Sequence, residues 1–296
     1  MLGTHKRPGE KDRHIEFPED RVQLFPSASV QLGQYLHALP ATSWNQPSAC
    51  DRWEVRDVVG HLILGAELYF DVVSRGLHGD TSPPEGFPQA GTVNATSVDA
   101  FVDQMSVTRR ENLGDQLLAT FATTSDQLHQ VFAQCRSHDW ERLCYHPAAL
   151  VPVRTVVDMR LTELVMHGWD IRSKRELEAH LEPESFSTFV EMFTGPFGWF
   201  RWTLVPGMQR STPVRYRFEV TGPVSLKRDL VVEGHQAHLE PVTAAPAHVT
   251  FCCAMEPFVL LLYGRLPLPD AIAAGHMTAE GATELIPTFA QWFRGM

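Results

Sequence analysis

The spacing of the apolar residues changes once along the chain, from three-and-four to two, and that change limits the fold more than any other feature. Val30, Leu32, Tyr35, Leu36 and Leu39 predict a helix from about Ser27 to Leu39, closed by Pro40. A second helix opens at Trp53 and runs to about Arg75; Val55, Val59, Leu62, Leu68, Tyr69 and Val72 cover most of its circumference, so it should be buried. A third spans Ser97 to about Cys135, with a break near Gly114. A fourth follows Pro152 and carries Val156, Val157, Leu161, Leu164 and Val165. Four long helices predict a bundle. One more, from Pro183 to Trp202, is rich in Phe and Trp, which at these spacings serve as interface core.

Beyond residue 213 the period becomes two. Val214 to Val220, Leu226 to Val232 and His248 to Cys252 read as strands, with Gly222-Pro223 and Glu233-Gly234 as turns. Helices are expected at Glu256 to Tyr263 and Thr278 to Phe293. The fold class is therefore an all-α four-helix bundle followed by an α+β domain. The expected divisions are a disordered tail over 1–20, a helical domain over 21–204 and the α+β domain over 205–296.

Composition narrows the function classes. A formal charge of −10 over 296 residues argues against a nucleic-acid footprint, which needs a basic face. No apolar run approaches the ~20 residues that cross a bilayer, and the charged N-terminus is not a secretory signal. The five cysteines show no CxxC spacing and read as reduced thiols of a cytoplasmic protein.

Chemistry concentrates in two helices. Glu163 and His167 are four residues apart, so their side chains leave one helix face a turn from each other. Such a pair either shares a metal ion or is an ordinary helix-surface pair; Asp170, a turn further, is placed to hold the second ring nitrogen of His167. His61 falls on the apolar stripe Val58, His61, Gly65, Leu68, Val72 of the second helix. A buried ring needs a partner, either a backbone carbonyl or a ligand. Gly60 and Gly65 beside it cost helix stability, roughly 1 kcal/mol each relative to Ala, and make sense where something approaches closely. Two imidazoles and a carboxylate would leave a cation with open positions, as in catalytic rather than structural sites.

The segment Trp53-x-Val55-Arg56-Asp57-Val58-Val59-Gly60-His61-Leu62, followed by Glu163-Leu164-Val165-Met166-His167-Gly168-Trp169-Asp170, resembles the mycothiol-dependent maleylpyruvate isomerase family, within the DinB-like group of metal-binding bundles. The C-terminal layout is similar to the sterol-carrier-type domain that many members carry. The resemblance implies His61, Glu163 and His167 as ligands of a divalent metal, preferably zinc, with mycothiol as thiol cosubstrate and a small electrophile as its partner. It implies cis-trans isomerisation by addition, rotation and elimination, or S-transfer when another group leaves. Arg56 and Arg265 are candidates for binding an anionic part of cosubstrate or substrate, although surface or salt-bridge roles compete; Arg160 is a candidate on the same terms.

Two other classes remain open: a lipid or small-molecule carrier with a cavity between residues 214 and 290, and a metal-dependent hydrolase with Glu67 or Asp57 as base. Oligomeric state is left open. The loop 76–95 starts about 20 Å along the helix from His61 and is given no role, since it reaches the site only by folding back.

Overall fold

The computed structural model describes residues 18–50, 52–206 and 210–295. All but the last three residues of the expected disordered tail lie outside the described residues. Those three are helical: α1 runs Pro18–Ala38, straight through Pro26. Proline lacks an N–H and crowds the preceding turn, so a helix starting at Ser27 was the simpler expectation. Phe25, fully buried on the turn before it, ties that extra length to the core.

The helical part continues with α2 (Val55–Gly76), α3 (Ala95–Leu113), α4 (Leu117–Gln134) and α5 (Val153–Arg172). The expected break falls at Gly114, whose φ of +50° and the 3-10 turn after it separate α3 from α4. A capping box starts α2: Glu54 and Asp57 each accept the other's backbone N–H. α2 sits at the centre, packed against α3, α4 and α5, while α1 packs on α4 and α5. A two-strand ribbon, β1 (Leu143–Cys144) with β2 (Val151–Pro152), leads into α5.

The aromatic stretch after α5 is not one helix. α6 (Phe186–Thr194) and α7 (Trp199–Thr203) are separated at Gly195–Gly198, where Gly198 takes φ +73°. The C-terminal part is a five-stranded sheet of order β5-β4-β3-β6-β7, comprising β3 (Arg210–Thr221), β4 (Leu226–Gly234), β5 (Gln236–Pro241), β6 (Val249–Ala254) and β7 (Met277–Gly281). Among the described residues of this sheet, only the β3–β6 pair is parallel. Helices α8 (Met255–Leu262), α9 (Leu268–Ala273) and α10 (Leu285–Trp292) complete it.

One expectation fails here: residues 278–281 belong to an edge strand, so the last helix starts at Leu285.

One face of this sheet is filled with rings. Tyr216, Phe218, Phe251 and Phe289 stack or meet edge to face at centroid distances of 5.2–6.0 Å. On the other face Asp229 is fully buried, held by Arg217 at 2.8 Å and Arg215 at 3.0 Å. The two parts meet where Leu204 bridges to Phe293 and Val205 N–H donates to Trp292 O. No described helix is long and apolar enough to cross a membrane.

Candidate active site

A cavity of about 480 Å³ opens where α2, α5, α6, α7 and the segment after α8 converge. His61, Glu163, His167 and Arg265 all line it. The rings of His61 and His167 meet edge to face with centroids 4.8 Å apart, and Trp53 packs against both at 4.9 and 6.2 Å. Two helices separated by 76 residues of chain thus deliver two imidazoles to one place.

Each imidazole has its Nδ1 engaged. His167 Nδ1 lies 3.0 Å from Asp170 Oδ2, and His61 Nδ1 lies 3.4 Å from Ser106 Oγ on α3. Burial, reinforced by the neighbouring His167 and Arg160, holds the pKa of His61 well below the usual value, so at neutral pH it is an uncharged ring with a lone pair to offer. Burial alone would raise the carboxyl of Asp170. Hydrogen bonds from Arg265 and His167 outweigh it and keep that group well below the ordinary carboxylate range.

Glu163 is held at both oxygens: Tyr69 donates to Oε1 at 2.8 Å and Arg160 to Oε2 at 3.3 Å. A carboxylate has about four acceptor positions, so these bonds leave capacity for a cation. Gly65 explains itself at this point. A Cβ there would stand 3.2 Å from Glu163 Oε2 and 3.5 Å from Arg160 Nη1. Gly60 serves helix packing instead, since its Cβ would stand 2.7 Å from Ser106 O of α3.

Cys50 was expected only as one of five reduced thiols, with no place in the site. Its Sγ donates to Asp170 Oδ2 at 2.8 Å, accepts from Arg265 Nη2 at 2.9 Å and lies 3.5 Å from His167 Nδ1. Cys50, His167 and Asp170 are, among the described residues, the three whose donor atoms all come within 4.8 Å of one another. His61 and Glu163 stand outside that set. A cation there would have to displace Arg265, whose guanidinium already supplies the positive charge, with Nε 2.9 Å from Asp170 Oδ1 and Nη2 2.8 Å from Oδ2. Burial, then the charge of Asp170, pushes the Cys50 thiol up, so it is an S–H donor rather than a thiolate. This cluster orients His167, and its electrostatics suit the guanidinium that already occupies it.

The remaining candidates separate. Arg265 lines the cavity but is bound to Asp170, Cys50 and, through Nη1, Tyr263 O. Arg56 is outside the cavity lining and pairs with Glu54 at 2.6 Å. Arg160 is fully buried and pairs with Glu163, which was the competing expectation for it. Glu67 and Asp57 face Arg109 and Arg110, away from the lining. The loop after α2 does fold back: Phe87 and Pro88 line the cavity, Phe87 meets Phe101 edge to face at 5.4 Å, and Tyr145 donates to Pro88 O at 2.6 Å. Aromatic residues of α7 and its approach, Phe197, Trp199 and Trp202, also line it, besides packing against one another as expected.

Residues 25–172 match the family model of the mycothiol maleylpyruvate isomerase N-terminal domain. No curated protein sequence matches the chain. Among solved structures, the mycothiol-dependent maleylpyruvate isomerase superposes with a TM-score of 0.58 at 13% identity, over 84% of this chain and 90% of that one. A histidine-to-alanine variant of an enzyme with the same description superposes at 0.60 and 13% identity, over 89% and 93%. These superpositions establish a shared fold, a helical N-terminal region with a sheet-containing C-terminal part.

Proposed function

The chain belongs to the mycothiol maleylpyruvate isomerase N-terminal domain family, and from that footing we propose that it is a metal-dependent enzyme acting on a small electrophile with mycothiol as its nucleophile. The observation that carries this reading is the meeting of two imidazoles from α2 and α5, 4.8 Å apart, on a cavity wall that also receives Glu163. His61, Glu163 and His167 are the residues that would hold a divalent cation. The donors suit such an ion chemically, since one ring is neutral through burial, the other is turned by Asp170, and the carboxylate keeps unused lone pairs. Their ligand atoms do not all lie within 4.8 Å of one another here, so binding would draw them together. A divalent cation held by them, zinc by its liking for imidazole and carboxylate, would supply the positive charge that keeps a thiol ionised at neutral pH.

The chain's own groups set the geometry. Asp170 fixes His167 with Nδ1 protonated and Nε2 free, and Arg265 fixes Asp170. Tyr69 and Arg160 hold Glu163, while Trp53, Phe87 and Trp199 keep water from the electrophile. Sulfur adding to an unsaturated carbon forms a C–S bond and turns the double bond into a single one. Rotation and loss of the thiol then give the trans isomer, as with maleylpyruvate. Loss of a different group leaves sulfur on carbon, which is S-transfer.

The helical part, 21–204, is read as a DinB-like four-helix unit of α1, α2, α4 and α5, with 205–296 as a sterol-carrier-like domain. A pure carrier is less well supported, since rings occupy the space between sheet and helices. So is a hydrolase, since Glu67 and Asp57 are committed to arginines elsewhere.

Metal analysis of the purified protein, followed by incubation with mycothiol and candidate electrophiles under mass spectrometry, tests the proposal. One divalent ion per chain and thiol-dependent formation of an isomer or adduct are expected. Turnover indifferent to thiol, or a metal-free active protein, refutes it.

A further inference from the structure

The walls of the cavity carry information on the electrophile itself. Of the arginines that line it, Arg265 is spent on Asp170, Cys50 and Tyr263 O, and Arg52 is paired with Asp103. Arg294 is the third and is exposed. Against these stand two acids of α3 on the same lining, Asp99 and Asp103. Burial first, and then the charge of Asp103, raises the pKa of Asp99, so this part of the lining stabilises a carboxylate less than water does. With Asp103 and Arg52 cancelling each other, a divalent cation on His61, Glu163 and His167 would answer one charge of a small dianion, and for the other the lining offers Asp99 and the exposed Arg294. Desolvating that second charge is costly.

Part of the lining is apolar: Met192, Phe197, Trp199 and Trp202. Set among them is His146, its ring 5.4 Å from Phe197 and 5.7 Å from Trp202. Burial lowers its pKa to about 4, so it is neutral, and its Nδ1 accepts the amide N–H of Ala148 at 3.1 Å. The proton of the neutral ring is therefore on Nε2, which makes His146 an uncharged donor on a wall of rings. An uncharged donor suits a ketone or ester oxygen; it offers a carboxylate no counter-charge.

We propose that the electrophile is an uncharged carbonyl compound with an apolar or aryl substituent seated between Phe197, Trp202 and His146, rather than a small dicarboxylate. The proposal rests on the thiol-addition reading above for the word electrophile, but not for the preference itself.

Binding can be measured apart from chemistry. Succinate, monoethyl succinate and diethyl succinate differ mainly in charge and cannot be attacked by a thiol. Titrating each into the full-length protein without mycothiol, the fluorescence of Trp53, Trp199 and Trp202 reports occupancy. The diester is expected to bind at least about tenfold more tightly than succinate, with the monoester between. Phe197→Leu, a mild change kept beside the more disruptive Trp202→Ala, should weaken the diester several-fold and leave succinate unmoved. Asp99→Asn with Asp103→Asn should narrow the gap by strengthening succinate. Succinate binding as tightly as the diester, or a diester affinity indifferent to Phe197→Leu, overturns the proposal. The unsaturated maleate series, assayed with mycothiol, then separates the two ideas. Diester bound but never consumed refutes the thiol chemistry alone; maleate consumed in preference to diethyl maleate refutes the neutral-substrate preference alone.

Discussion

Asp170 is the residue on which the geometry of the site converges, because His167, Cys50 and Arg265 all address its two oxygens. Asp170→Asn keeps the shape but weakens the hold on His167 Nδ1. Metal affinity should fall by about 10- to 100-fold, read by competition with a chelator. An unchanged affinity would make Asp170 a structural group only. His61→Ala with His167→Ala should leave the fold intact by circular dichroism and strip the metal; one ion per chain retained in the double variant would remove these residues from the ligand set. His146 gives a pH signature of a different kind. Its folded pKa, about 4, lies below its ordinary value of 6.5, so the folded state binds fewer protons than the unfolded one across that window. Stability from this group is present above pH 6.5 and lost as pH falls toward 4, by up to about 3 kcal/mol. Urea denaturation at pH 7 and pH 5 should show the loss, and His146→Gln should shrink it.

Elements explain which parts of the molecule were readable beforehand. α2 and α5 announce themselves through unbroken apolar spacing, and the four-residue step from Glu163 to His167 survives any error in helix ends. That His61 meets them needed tertiary packing, since spacing says nothing across a hundred residues. β7 was missed because it lies at the edge of the sheet, where few side chains are buried and the alternation fades. Cys50 gave no signal because a single cysteine in a loop has no pattern to belong to. The return of the loop after α2 depends on Phe87 finding Phe101 and Tyr145, a contact only the fold supplies. The two glycines of α2 now separate by role. Gly60→Ala would press its methyl onto the α3 backbone and should cost about 1–3 kcal/mol of stability by thermal melt. Gly65→Ala meets only the Glu163 carboxylate and the tip of Arg160, so it should spare the fold and weaken metal binding instead.

Across the whole molecule, the site is completed from the far end of the chain. Arg265 follows α8 of the sheet-containing part, yet its guanidinium neutralises the carboxylate that steers a ring on α5. The helical part alone therefore contains every proposed ligand but not the counter-charge behind them. Arg265→Ala strands a buried carboxylate, a change that typically costs several kcal/mol, and His167 should lose its fixed orientation. Thermal stability and metal affinity should then drop together, where a purely local role would move only one. A gene fragment ending near residue 204 should yield helices with a slack imidazole and a cysteine newly open to alkylation. The sheet at the chain's end thus acts as a keystone for chemistry performed elsewhere, and swapping it between relatives should transplant cleanly only where the replacement brings an arginine to the same corner.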